Sequence, residues 1–166
     1  MEQSRIGASE FEAQAEQLVA AEGLNVESFK AMFQIFRLAT LMFSDLESKI
    51  HRPSGWSLAG FRVMFILWVA GDLEPRDIAR LAGLSRAAIS STVNTLERDQ
   101  LVERRRQSVD RRLVTVSLTP IGNDRLAAAY AAQNDREQEI FSSLDSLEVA
   151  RLTELMQRVI ATPRTE

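Results

Sequence analysis

The 45 residues from Ile78 to Gly122, IARLAGLSRAAISSTVNTLERDQLVERRRQSVDRRLVTVSLTPIG, decide the fold. They open in a short helix that Gly83 ends. Ser85 is placed as N-cap of the next helix, and Ile89, Val93 and Leu96 follow at the i, i+4, i+7 spacing of one buried face. The opposite face carries Arg86, Ser90, Ser91, Asn94, Thr95 and Arg98. Leu101 to about Arg106 and Leu113 to Leu118 predict two strands, the second β-branched and partly alternating. Gln107 to Arg112 form the charged tip between them. Two helices joined by a short Gly-containing turn make a helix-turn-helix, whose second helix enters the major groove. The hairpin behind it offers Arg111 and Arg112 at a tip suited to the narrower minor groove, where arginine is drawn by the enhanced negative potential.

Working outward, Thr119-Pro120 caps a long alanine-rich helix running to about Ser143. Asp145-Ser146-Leu147-Glu148 has the form of a capping box, with Leu144 placed for a hydrophobic staple, and it starts a last helix that Pro163 ends. Upstream, Ser57 caps a helix over 58–70 that stops at Gly71, and Glu74-Pro75 opens the short helix ending at Gly83. Residues 26 to about 50 form a long helix whose apolar face is wide enough for more than one packing partner; a second subunit is a natural one. His51 to Gly55 read as a loop, and residues 8–22 as a weakly apolar helix in a frayed arm. The expected fold is mainly α with a small β-wing. An arm (1–25) leads into an N-terminal dimerisation helix and loop (26–56). A winged helix-turn-helix (57–119) and C-terminal dimerisation helices (120–166) follow.

Composition narrows the function. The 166 residues contain no cysteine, which removes disulfides, thiolate metal sites and a cysteine nucleophile together. A single histidine, His51, argues against a histidine-built zinc site, and no cofactor or metal is expected. The acidic, alanine-rich start has none of the features of a signal peptide, and the longest apolar run, Val63 to Ala70, is too short to span a bilayer. A cytoplasmic protein without membrane contact is the expectation. The net charge of −3 hides an asymmetry: residues 76–112 hold nine arginines and five acids, a local +4 that leaves −7 elsewhere. Such a basic middle can face phosphates. Arg104, Arg105 and Arg106 alternate faces in a regular strand, so only some of them can reach a backbone phosphate.

Residues 78–122 resemble the MarR family. The resemblance rests on Leu84-Ser85, Leu96-Glu97, Leu101-Val102-Glu103-Arg104, Asp110-Arg111-Arg112, Leu118-Thr119 and Gly122 taken together, and with the flanking helices it extends over about residues 26–162. It implies a homodimer with interlocked terminal helices, bound to double-stranded DNA. The reader helices lie in successive major grooves of an inverted repeat, and the wings lie in flanking minor grooves. Carried over, Ser90, Ser91, Asn94 and Thr95 take the base-facing positions, and Arg112 is the wing arginine that Asp110 orients. Two departures stand out. The family often has arginine on the reader face where Ser91 or Thr95 stands here. It usually has glycine where Gln100 stands; if that backbone is left-handed, a non-glycine residue costs roughly 1 kcal/mol.

Relatives in the family bind aromatic acids or phenols near the junction that His51, Trp56 and Arg62 flank. These three side chains are therefore candidates for holding an aromatic carboxylate or a phenolic ligand. Taken singly, the simpler account is that Trp56 packs, His51 is exposed and Arg62 forms an internal ion pair. The function expected is a DNA-binding transcriptional regulator, in the form of a ligand-relieved repressor. The alternative is a winged-helix protein-interaction module without specific DNA binding. An enzyme is not expected: the chain has no nucleophile–base–orienter set, metal cluster or Gly-rich phosphate loop.

Overall fold

A computed structural model describes residues 7–106 and 114–163. The chain divides into two compact units, one up to Ser44 and the other from Asp45 onward.

The first unit contains helix α1 (Ala8–Ala21) and most of helix α2 (Val26–Leu46). Gly23, at φ 67°, turns the chain between them, and Asn25 Oδ1 accepts from Ser28 N at 2.7 Å to cap α2. Phe11 and Phe29 both pack on Phe33, with ring centroids 6.1 and 5.6 Å away. Glu16 pairs with Lys30 at 3.2 Å, and Glu12 with Arg37 at 3.0 Å. Within the expected arm, Ala8–Ala21 is thus helical. No residue of α1 is buried, and Leu46 is the only residue of α2 that is buried. The wide apolar face of α2 lies open, with Met32, Ile35, Phe36 and Leu41 exposed.

The second unit holds the core. Leu46 passes into a π-helical turn, Glu47–His51, and then come α3 (Leu58–Ala70), α4 (Pro75–Ala82), α5 (Arg86–Arg98), β1 (Val102–Arg106), β2 (Val114–Leu118), α6 (Pro120–Ile140) and α7 (Ser146–Ala161). Helix α3 is apolar around most of its surface because it is packed by α4, α5, α6 and β2 at once. Met64 of α3, Ile78 of α4, Ile89, Val93 and Leu96 of α5, Val102 and Val116 of the hairpin and Leu126 of α6 are all fully buried around it. Each helix start follows its side-chain chemistry. Ser57 and Ser85 accept from Gly60 N and Ala88 N, both at 3.2 Å, and Pro75 and Pro120 open α4 and α6. At α7, Asp145 and Glu148 form the full capping box.

The strands are antiparallel, with Val102 opposite Leu118 and Arg104 opposite Val116. Leu73, between α3 and α4, exchanges both backbone hydrogen bonds with Val116 at 3.1 and 2.8 Å, so the second strand is held from both sides. Three sequence expectations change. Residues 47–51 extend the helical path as a π-turn where a loop was expected to start at His51. The first strand begins one residue later, at Val102, and α6 stops at Ile140. The expected hairpin tip, Gln107 to Arg112, lies outside the described residues.

Where α5, the hairpin and α6 meet, backbone packs directly on backbone. Gln100 sits at φ 60°, the left-handed position where the family resemblance puts glycine, and it turns the chain from α5 into β1. Thr119 Oγ1 accepts from Gly122 N at 2.9 Å and donates to Gln100 O at 2.7 Å, while Thr119 N donates to Leu101 O at 3.1 Å. A Cβ at Gly122 would meet Leu101 O at 1.9 Å. Gly122→Ala therefore has to move two backbones apart and is expected to destabilise by at least about 2 kcal/mol. Gln100→Gly is expected to stabilise by about 0.5 kcal/mol, the relieved left-handed strain less the added freedom of the unfolded chain. Urea unfolding of both variants checks both signs.

Candidate nucleic-acid interface

Helix α5 is amphipathic in the way its spacing predicts. Ile89, Val93 and Leu96 are at most 2% exposed, which fixes the helix's rotation about its own axis. Arg86, Ser90, Ser91, Asn94, Thr95 and Arg98 are exposed on the other face. Six of the residues picked from sequence are thus brought together on one polar surface. Asp110, Arg111 and Arg112 lie outside the described residues.

The hydroxyls and the amide on this surface match the edges of base pairs, where donors and acceptors lie in the plane of the pair. Thr95 Oγ1 donates to Ser91 O at 3.2 Å, leaving its acceptor lone pairs outward. Asn94 is not isolated. Its Oδ1 accepts from Arg104 Nη2 of β1 at 2.6 Å, and Arg104 Nη1 pairs with Glu97. This cross-link was not among the sequence readings. Only strand parity, which puts Arg104 on the face of buried Val102, hinted at it.

The basic stretch is less bare than its count of arginines suggested. Arg76 faces Glu74 at 3.0 Å, Arg80 faces Asp77 at 3.4 Å, and Arg98 faces Asp99 at 3.0 Å. Arg105 faces Glu103 at 2.5 Å and Asp72 at 3.6 Å. All are exposed pairs of small energetic weight, which an arriving phosphate can displace.

The three candidate ligand-holding residues stand in different surroundings. His51 is 0% exposed, which corrects the expectation of an exposed ring. The π-turn at 47–51 adds a residue to the helical repeat and turns the ring inward, where it stacks on Phe61 with centroids 4.4 Å apart. Neither ring nitrogen has a hydrogen-bond partner among the described residues. Trp56 is buried as expected for packing, with the Arg125 guanidinium 5.3 Å from its ring centroid. It lines a cleft of about 210 Å³ with Gly55, Ser57 and Gly60 on one side and Ser91, Thr92, Thr95 and Asp99 from α5 and its C-terminal end on the other. Neither His51 nor Arg62 lines that cleft. Arg62 stands half-buried on α3.

Residues 56–114 match the sequence model of the MarR family. An uncharacterised helix-turn-helix transcriptional regulator of Bacillus subtilis, YwaE, is 31% identical over 138 residues, covering 83% of this chain and 81% of the relative. Among solved structures, a point mutant of E. coli MarR complexed with operator DNA superposes with a TM-score of 0.72 at 23% identity, over 80% of this chain and 95% of that one. The Bordetella bronchiseptica regulator BpsR, solved to explain regulation of its DNA binding by 6-hydroxynicotinic acid, superposes with a TM-score of 0.70 at 19% identity, over 78% and 98%.

Among the described residues of this unit, His51 and Asp45 have shifted proton affinities that bear on acid stability. Burial lowers the affinity of His51 for a proton, and the Glu47 carboxylate only partly opposes this. Hydrogen bonds from Arg136, then Lys49, hold the Asp45 carboxyl down to about 2. A histidine disfavoured as a cation in the fold binds its proton more tightly when unfolded, so stability falls as pH drops below about 6.5. The Asp45 contribution is complete above the ordinary carboxyl range and is lost only as pH falls toward about 2. As His51 is the sole histidine, the upper window belongs to it. Thermal melting from pH 7.5 to 5.5 should show a falling midpoint in the wild type and a flat one in His51→Met.

Proposed function

The chain belongs to the MarR family of transcriptional regulators, and from that premise we propose that it is a homodimeric repressor that binds an inverted-repeat operator and is released by a small aromatic ligand. The observation that carries this reading is helix α5, whose polar face stands exposed over three fully buried side chains. Ser90, Ser91, Asn94 and Thr95 read base edges, while Arg86 and Arg98 contact guanine edges or the backbone. Arg111 and Arg112 of the wing enter the minor groove, with Asp110 orienting Arg112.

The dimer is supported by apolar surface that the single chain leaves in water. Helix α7 buries none of its residues, and Leu147, Val159 and Ile160 are 79%, 63% and 74% exposed. Exposed apolar side chains in this number along one helix point to an interaction site. Supporting a ligand is the cleft between Trp56 and α5, whose volume of about 210 Å³ admits a single aromatic ring. The 6-hydroxynicotinic acid response of the Bordetella regulator points to the same class of compound. Such a ligand relieves repression only by binding the DNA-free form more tightly than the DNA-bound form.

A second reading, a winged-helix module that binds protein and not DNA, draws on the carboxylates that face Arg76, Arg80, Arg98, Arg104 and Arg105. Selection from random duplex DNA at near-physiological salt separates the two. Enrichment of an inverted repeat with half-sites about one helical turn apart is the expected result. Weak, salt-insensitive retention with no sequence enriched would favour the protein-binding module.

A further inference from the structure

Helix α5 and strand β1 are cross-linked by one guanidinium. In β1, Val102 and Arg104 share a face, and Val102 is buried against the core that α5 covers. Arg104 continues that face past the edge of the core and folds back over the helix. Its two terminal nitrogens take separate partners on α5: Nη1 pairs with the Glu97 carboxylate and Nη2 donates to Asn94 Oδ1 at 2.6 Å. Asn94 and Glu97, three residues apart, are neighbours on the helix surface, so a single planar fork spans both.

The arrangement determines which end of the Asn94 amide is free. A guanidinium carries donors only, so the oxygen of the amide must face Arg104 and the nitrogen must face elsewhere. An unrestrained asparagine reads adenine by accepting from N6 through Oδ1 while donating to N7 through Nδ2. Here Oδ1 is engaged by a cation, and that cation also repels the N6 hydrogens of an approaching adenine. Asn94 is left to act as a donor through Nδ2. The base edges that fit a donor are guanine, with O6 and N7, and thymine, with O4.

Building on the DNA-reading function above, we propose that Arg104 is a specificity-determining positioning residue. It holds Asn94 in a donor-only orientation and turns this helix position from an adenine reader into a reader of guanine or thymine. Glu97 aids this role by holding the other arm of the fork, so that Arg104 is not drawn away to a phosphate.

The test starts from the duplex that the wild-type protein selects, with each base pair varied in turn. Wild type, Asn94→Ala, Arg104→Met and the double variant are measured against this library, with circular dichroism melting to confirm that each is folded. Asn94→Ala should flatten the preference at one base pair in each half-site. At that pair, Arg104→Met should raise binding of adenine relative to guanine or thymine by roughly tenfold, the scale of one bidentate base contact. The double variant should match Asn94→Ala there. Arg104→Lys, which keeps the charge but loses the fork, should shift the profile the same way by a smaller factor. If Arg104→Met weakens all sequences equally and leaves the profile unchanged, Arg104 is a phosphate contact and the inference is overturned while the DNA-reading function stands. The same holds if Asn94→Ala changes preference at no position. If wild type selects no sequence, the function itself falls and the inference with it.

Discussion

The approach of Gly122 to the carbonyl of Leu101 is the constraint on which the arrangement of the reading unit depends. It brings the backbone opening α6 against the backbone leaving α5, closer than any side chain would permit. Thr119 completes the joint, capping α6 with the same hydroxyl that binds Gln100 O. The hairpin leaves and returns through this point. The left-handed Gln100 aims the departing chain, and the bridge between Leu73 and Val116 holds the returning strand. With both ends pinned, the hairpin has a defined position relative to α5, and Arg104 can reach across to Asn94.

Much of this was legible in the sequence because it rests on local rules. The i, i+4, i+7 spacing of Ile89, Val93 and Leu96 placed the rotation of α5 correctly, since burial of one stripe leaves only one way to turn a helix. The caps at Ser57, Ser85, Thr119 and Asp145 were equally readable, because each satisfies backbone donors within its own first turn. Gln100 was recognisable only by comparison with a family pattern that has glycine there; nothing in its own chemistry announces a positive φ.

What escaped the sequence depends on contacts distant along the chain or on a small change of helical pitch. His51 was expected in an exposed loop, yet one π-turn carries it into the core against Phe61. A shift of one residue in repeat is invisible to a periodicity count over a window of ordinary length. The pairing of Arg104 with Asn94 and Glu97 joins residues on two different elements, and strand parity gives its side but not its reach. The cleft beside Trp56 is similar: its walls come from residues 55–60 and 91–99, and no linear motif links them.

The ion pairs along the basic stretch alter the thermodynamics of meeting a polyanion. Arg76, Arg80, Arg98, Arg104 and Arg105 carry tethered carboxylates in place of mobile chloride. A phosphate that takes over such an arginine displaces a group that remains part of the chain, and that group gains none of the mixing entropy of a liberated ion. Association then releases the cations condensed on the phosphates but adds few anions from the protein, so the slope of log affinity against log salt approaches the value set by the phosphate contacts alone. An acidic chain can in this way display many arginines while the salt dependence of its grip on nucleic acid reports the phosphates it neutralises and not the arginines it carries.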